Sequence, residues 1–556
     1  MFTLNLNMKF YGFALYYLLL VLFLCVGCGR NSEFSDRFKQ RLKADTGIPG
    51  KFHGDLIYNL ESIAALYEEE DQIVLPKWGN IDKVNEMLYV IRNISQDGLH
   101  PQDYHLMAIE ALVEKVFYEK GLKIDDKVNL ELLLTDAYLM ISTHLSAGKT
   151  DQETVDPRWM AAKRTARHDL ARFTDSTIVY DRVIESIESL TPSHREYSNL
   201  KKGLAIYRDL EANGGWEPIV ITGIKLEKGI SHPDVAKLKK RLSAGQSTDS
   251  LFFDDKLYAS VLSFQKIHGL TADGIVGKET VEALNISVYD RIAAIEANLE
   301  RWRWLSDELG EKYIKVNIAN FEMQVVENDQ PVFTCEAIVG RPYRQTPVFS
   351  SVMNHLVLAP TWTVPPTILW QDIIPAVKKN PEYFSQKNMQ LIRNDGTVVN
   401  PVTVDWKNVN RSNFPYMVRQ APGKDNALGS VKFMFPNQHS IYIHDTPARN
   451  LFAQVDRSFS SGCIRISRPM ELVEYLLSDK KDWTTDKIKR TIALGKEQTI
   501  FLTSPLPVHL LYMTTWAEDD GTVHFRKDIY NRDQSLLNAL RQHPPKETEF
   551  IGSRGK

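Results

Sequence analysis

Cysteine is scarce in this chain of 556 residues: four are present, at positions 25, 28, 335 and 463. Cys25 and Cys28 lie in an apolar N-terminal run, which leaves Cys335 and Cys463 for the body of the protein. An exported domain built on disulfides would carry more cysteines, in pairs. That scaffold is excluded, and both body cysteines are expected as free thiols. Cys335 is flanked by Val332, Phe333, Ala337 and Ile338 and is expected half-buried on a strand. The 14 histidines are scattered, without an HxxxH pair, so neither a metal nor a cofactor is expected. Charge is nearly balanced, with 67 basic and 70 acidic side chains for a net charge of −3. Nothing in it calls for nucleic acid as a partner. The hydrophobic and charged fractions, 43% and 25%, are those of a folded globular protein. The length suggests three or four domains.

What is present begins with residues 11–27, an apolar run preceded by Lys9 and closed by Gly27, Cys28 and Gly29. A short basic start, an apolar stretch and small residues at its end make a secretory signal. Leu24 to Cys28 also resembles a bacterial lipobox, with Cys28 as the lipidated residue and Cys25 standing where leucine is usual. An uncleaved anchor and a plain cleaved signal are the alternatives, because the run approaches spanning length. Each of the three exports the chain. The leading expectation is a periplasmic, membrane-anchored lipoprotein.

Residues 31–227 read as helical. Apolar residues recur at helical spacing over 56–67 and 83–94, and residues 126–147 form a long amphipathic helix closed by Gly148. Residues 228–285 form a small separate unit with helical stretches and turn glycines at 269, 274 and 277. A helix over 286–310 links it onward. Arg301, Arg303 and the neighbouring tryptophans fit a packed aromatic helix better than a base-stacking surface. Strand signals then dominate 311–535, with hairpins at close spacing that predict an antiparallel β core. Residues 366–425 interrupt it with helical pieces and turns. An excursion of that length is usually functional. The expected architecture is therefore α+β and multidomain: a helical scaffold, a three-helix module, and an antiparallel β-rich domain with an inserted lid. Residues 536–556 are left as a polar tail.

The chemistry concentrates in residues 440–467. His444 is followed by Asp445, and Ser461-Gly462-Cys463-Ile464-Arg465 lies nineteen positions on. A thiol attacks carbonyls as a thiolate, and an imidazole can take its proton and return it to a leaving amine. Cys463 is the candidate nucleophile and His444 the candidate general acid/base. Gly462 leaves room for close approach, and its amide, with that of Cys463, is a candidate oxyanion donor. Arg465 supplies a planar cation suited to a carboxylate, of the substrate or of the protein. Tyr442 and Ser461 are candidate substrate contacts. A buried structural cysteine beside a core histidine is the plainer alternative.

The pattern HDTP, then LF, then Arg457, then SSGCIR resembles the active-site signature of the L,D-transpeptidases, in particular the large periplasmic type. The segment around Asp136, Tyr138 and His144 resembles the helical scaffold of those enzymes. FQKIHGLTADGIVGKETVEALN resembles the peptidoglycan-binding domain repeat. The resemblance implies a cysteine acyltransferase that cross-links peptidoglycan through a thioester on tetrapeptide stems, with no cofactor. Its expected partners are stem peptides, glycan and a membrane. It further implies that the carbonyl of Asp445 orients His444, while the Asp445 carboxylate caps a turn. The rivals are a cysteine peptidase that trims stems and a non-catalytic wall-binding lipoprotein. A papain-like order would place the cysteine before the histidine, and a sortase lacks the Gly462-Cys463 pair.

Overall fold

A computed structural model describes residues 32–42, 51–52, 55–67, 73–164, 182–221, 225–242, 250–380 and 382–544. The expected signal, Cys28 with its lipid, and the tail from residue 545 lie outside the described residues. Among the described residues no helix is long and apolar enough to cross a membrane.

The N-terminal part is a helical body on a single core. Helix α1 (residues 32–42) buries Phe34 and Phe38 in it, and α2 (Ile81–Asn93) contributes Val84, Met87 and Ile91. Helix α3 (Ile124–Ala147) runs through the centre of this body rather than along its surface. The expected amphipathic face is absent because polar residues of α3, Glu131 and Asp136 among them, are buried with partners. Glu131 accepts from the Tyr67 hydroxyl at 2.6 Å and from the Lys77 amide, while Asp136 accepts from the Asn59 amide at 2.9 Å and from His105. Each such bond removes the penalty that a buried polar group otherwise carries.

After β1 (Trp159–Met160), helix α4 (Arg195–Ala212) leads towards the small module. That module, α5 (Pro233–Arg241), α6 (Asp255–Ile267) and α7 (Lys278–Leu284), has its own core of Val235, Leu238, Leu257, Val261 and Leu284. Gly274 is needed at its turn: φ is +73°, and a Cβ there would lie 2.1 Å from the Tyr258 ring. Helix α8 (Val288–Trp304) then passes under the β domain. Its arginines are not displayed to solvent. Arg301 pairs with Asp533 at 2.7 Å and Arg303 with Glu300 at 2.6 Å, both inside the protein.

The β domain uses β2 (Lys312–Asn317), β3 (Glu322–Glu327), β4 (Gln330–Gly340) and β5 (Val348–Leu358). The lid follows, with β6 (Trp362–Thr363), β7 (Met389–Arg393), β8 (Val398–Val399) and β9 (Tyr416–Gln420). The chain returns through β10 (Val431–Met434), β11 (Ile443–His444), β12 (Ser458–Ser460) and β13 (Ile464–Ile466). Helix α9 (Pro469–Leu476), β14 (Gln498–Leu511), the hairpin β15 (Thr515–Ala517) and β16 (Val523–Phe525), and α10 (Asp533–Leu540) complete it. The strand order is β10-β11-β13-β4-β3-β2-β14-β5, and β5 pairs again with β10. The sheet therefore closes on itself as a barrel, and β1 pairs with the start of the β5 edge that β10 does not cover. Most pairings are antiparallel, but β11 with β13, β2 with β14, β1 with β5 and β12 with β4 run parallel.

Strand β5 starts at Val348, and its first residues pair with β1 and β14. Ile441 and Tyr442 immediately precede β11. One strand-level expectation shifts. Cys335 is 4% exposed rather than half-buried, since the alternation of β4 turns it into the barrel core beside Met323. Burial pushes its thiol up to about 12, so it stays protonated. The lid has a four-stranded sheet, β8-β7-β9-β6, and its own core of Val377, Phe384, Leu391, Trp406 and Val418. It is a packed subdomain rooted where β5 ends and β10 begins, and the Ala359 amide donates to the Ser430 carbonyl at that root.

Candidate active site

The parallel pair β11 and β13 sets the site. Ile443 lies opposite Ile464 and His444 opposite Arg465. Ile443 and Ile464 point into the barrel core, fully buried. Side chains alternate along a strand, so Tyr442, His444, Cys463 and Arg465 share the other face. All four line one cavity of about 1210 Å³ between the lid and the barrel.

His444 is 4% exposed, and its Nδ1 lies 2.5 Å from the Asp445 carbonyl oxygen. A carbonyl can only accept, so Nδ1 carries the hydrogen and Nε2 keeps its lone pair. Burial first, then the Arg465 charge, lower the imidazole to about 3, against the raising effect of the Asp445 carbonyl. The Asp445 carboxylate works elsewhere. It accepts from the Ser430 amide at 2.8 Å, the Thr446 amide at 2.7 Å and Arg449 at 3.2 Å. Gly429, at φ +61°, makes this possible: a Cβ there would lie 2.3 Å from Asp445 Oδ2. Gly429→Ala is expected to cost about 2–4 kcal/mol through left-handed strain and overlap. A thermal melt should show the loss, and activity should fall with it as the His444–Asp445 turn shifts.

The Cys463 sulfur sits 3.7 Å from the Ser440 carbonyl, to which its S–H donates. Ser440 is held at φ +55°, a conformation that costs a non-glycine residue of the order of 1 kcal/mol. Asn437 stabilises this loop: its Oδ1 accepts from the His439 and Ile441 amides at 3.0 Å, and its Nδ2 donates to the Phe435 and Ile441 carbonyls at 2.8 Å. Burial pushes the Cys463 thiol up to about 11, while the Tyr442 backbone and side chain and the Arg465 charge pull it back. Both shifts favour a neutral imidazole and a protonated thiol.

Gly462 departs from its expected role. At φ +119° it needs glycine's freedom, but its amide donates to Ser460 Oγ at 3.1 Å and is committed there. The Gly462 carbonyl accepts from Thr346 at 2.8 Å. Of the two amides expected to face an oxyanion, the one not committed in this way is that of Cys463. Ser461 accepts from Arg344 at 2.9 Å. Arg344 also grips Asp372 of the lid at 2.5 Å and Gln371 at 2.7 Å, so one guanidinium joins the lid to the loop before the cysteine. Arg465 has no carboxylate partner among the described residues, and its Nε is buried without a hydrogen bond. The protein-carboxylate partner considered for it is therefore not found. Sequence reasoning missed Gly429 and Arg344, which carry no local signal, whereas Asn437 lies in the turn-forming run Pro436-Asn437-Gln438.

Residues 311–491 match the L,D-transpeptidase catalytic-domain family. That match covers about a third of the chain, the part that holds His444, Cys463 and Arg465. Residues 61–204 match a scaffold-domain family and residues 231–284 a candidate peptidoglycan-binding-domain family, which accounts for the helical body and the module that flank this transpeptidase domain. A Haemophilus influenzae protein curated as a candidate L,D-transpeptidase is 36% identical over 223 residues. That match covers 40% of this chain and 45% of the relative, less than half the length of either. Among solved structures, the L,D-transpeptidase of Xylanimonas cellulosilytica (residues 123–326) is 14% identical, over 52% of this chain and 100% of that one, with a TM-score of 0.17. L,D-transpeptidase 1 of Mycobacterium tuberculosis is 11% identical, over 36% of this chain and 61% of that one, with a TM-score of 0.14.

Proposed function

We propose that this protein forms peptidoglycan cross-links by two acyl transfers through a thioester on Cys463. The observation that carries the reading is the shared face of β11 and β13. That face presents one thiol and one imidazole, with Nδ1 occupied and Nε2 available, to a cavity large enough for a peptide. In the first transfer the sulfur attacks the carbonyl between the third and fourth residues of a donor stem, and His444 Nε2 takes the thiol proton. The oxyanion forms near the Cys463 amide. The C–N bond breaks, and the proton passes from His444 to the departing D-amino acid. In the second transfer an amine of the acceptor stem gives its proton to His444 and attacks the thioester. The C–S bond breaks, the thiol is regenerated, and a new amide links the two stems.

The cavity's charge supports a peptide that bears carboxylates. Arg158, Arg341, Lys432 and Arg465 line it without a carboxylate partner among the described residues, and its one acid, Asp372, is held by Arg344. Substrate carboxylates fit a cleft of that sign. Arg465→Met is expected to lower kcat/KM about tenfold, the scale of one charge-assisted hydrogen bond. It should also move the acid limb of the kcat/KM profile upward. Arg465 disfavours the imidazolium of His444, so its removal lets that imidazole protonate at higher pH.

Purified protein lacking residues 1–30, mixed with a tetrapeptide-stem muropeptide, should yield dimers joined between third residues. Trimmed monomers alone would instead identify a stem peptidase, and no change would identify a wall-binding protein. The apolar run at 11–27 and the lipobox-like Leu24–Cys28 support export and anchoring at a membrane, where this substrate is found. Mass spectrometry of the mature N-terminus tests that placement and shows whether Cys28 carries lipid.

A further inference from the structure

We propose that the helical scaffold supplies part of the substrate site, with Arg158 binding a carboxylate on the acyl part of the donor peptide. This rests on the transfer reading above and deepens it.

Strand β1 lies far outside the catalytic-domain match, yet it extends the barrel sheet. Trp159 pairs in parallel with Val348, the Val348 amide donates to the Arg158 carbonyl at 3.3 Å, and the Ala162 amide donates to Ser350 Oγ at 3.1 Å. Arg158 and Met160 thereby become part of the wall of the cavity that contains Cys463. The cavity has two ends, fixed by the length of β5. At its start, residues 348–349 carry β1. At its end, residues 355–358 carry β10 and the root of the lid. The chain from β10 runs back along β5 toward the scaffold end. There Pro436 accepts from Ser351 at 2.6 Å and Gln438 contacts Met160 Sδ at 3.7 Å. It turns at Ser440 and returns in β11, where His444 sits opposite Lys432. His444 is therefore toward the lid end, and the Ser440 turn is beside the scaffold end.

Proton bookkeeping assigns the two ends. His444 must give a proton to the departing amine and take one from the incoming amine, so both amines occupy the His444 side of Cys463. The acyl part of the donor, with the rest of its stem, extends the other way, toward Ser440 and the scaffold strand. Arg158 stands at that end. Its Nη1 donates to Gln345 Oε1 at 2.6 Å, and Gln345 also accepts from Arg532 at 3.1 Å. A neutral amide holds the guanidinium in place without cancelling its charge. Arg532 meanwhile pairs with Asp156 at 3.4 Å, the acid that precedes Pro157 in the same segment. Arg158 has no ion-pair partner among the described residues, and its planar fork suits a carboxylate.

The test is single-turnover acylation of Cys463, followed by intact mass, with two tetrapeptide donors: one with free carboxylates on its acyl part and one with those groups amidated. Arg158→Gln is expected to slow acylation about tenfold with the free-carboxylate donor and to leave the amidated donor unchanged. Arg158→Lys should recover part of the rate with the free-carboxylate donor. The ratio of transfer to hydrolysis after acylation should not move, because the amine end is untouched. An unchanged rate for Arg158→Gln with the free-carboxylate donor would overturn the proposal. So would an equal drop with both donors, which is what loosened packing of β1 would give. If the wild-type protein forms no thioester with either donor, the transfer reading itself fails. A thioester formed equally well by Arg158→Gln sinks only the scaffold site.

Discussion

Replacing Cys463 with alanine is expected to abolish both thioester formation and cross-linking, with at least a ten-thousandfold loss that leaves only background. No neighbouring group can stand in. The other body thiol, Cys335, is in the barrel core and held protonated by burial. The residue beside the sulfur is Tyr442, whose hydroxyl is pushed well above its ordinary range by burial and by Cys463 itself. Cys463→Ser should be nearly as inactive. A serine hydroxyl is far less acidic than a thiol, and the base that would have to activate it is an imidazole lowered to about 3. Both variants should fold, because the side chain lines the cavity and is only partly buried where it packs against the core. Intact mass after incubation with a tetrapeptide donor reads the result directly. Any adduct on Cys463→Ala, or dimer formed by it, would remove the thioester from the mechanism.

The parts of this site that could be read from the sequence are those that are close together in the chain. His444, Cys463 and Arg465 lie within one segment. Two short strands bring them together by a register that the apolar residues Ile443 and Ile464 set from the core side. The amphipathic or alternating segments were legible for the same reason: α2, β2 and β3 each bury one face, and burial leaves a period in the sequence. Helix α3 was legible as a helix but not as the centre of its domain, because Glu131 and Asp136 look like a solvent face until their partners, Tyr67, Asn59 and His105, are known. The closure of the barrel was not legible either. It depends on β5 pairing on both sides, and no local pattern reports which strands a strand will meet. Arg158 shows the same limit most sharply: as a residue of a helical region it signals nothing, and it acquires a site only through the pairing of Trp159 with Val348. Gly462 shows the converse, where a motif suggested an amide that a single serine hydroxyl, Ser460, had already engaged.

His444→Gln is expected to lower acylation about a thousandfold, within the range for loss of a general acid/base, while leaving the fold intact. Glutamine keeps a donor for the Asp445 carbonyl but offers no lone pair of comparable basicity at the sulfur. The pH dependence gives a sharper test. With the imidazole lowered to about 3 and the thiol raised to about 11, burial favours the neutral pair in the free enzyme, and the proton moves as the sulfur attacks. The same values set the free-enzyme profile. His444 stays neutral on the basic side of about 3, so kcat/KM should be flat through pH 6.5, with no acid limb at the ordinary imidazole value. Substrate changes this balance. A carboxylate placed on Arg465 screens one of the two causes that depress His444, the other being burial. The imidazole then becomes more basic once the peptide is bound. Because kcat reports the groups of the bound complex and kcat/KM those of the free enzyme, the acid limb of kcat should lie at higher pH than that of kcat/KM. In Arg465→Met the two limbs should converge, since the free enzyme has already lost the charge that substrate would screen. Coincident limbs in the wild-type protein would show that the bound peptide does not reach Arg465, and the base would then have to act at the strength it has in the empty cleft.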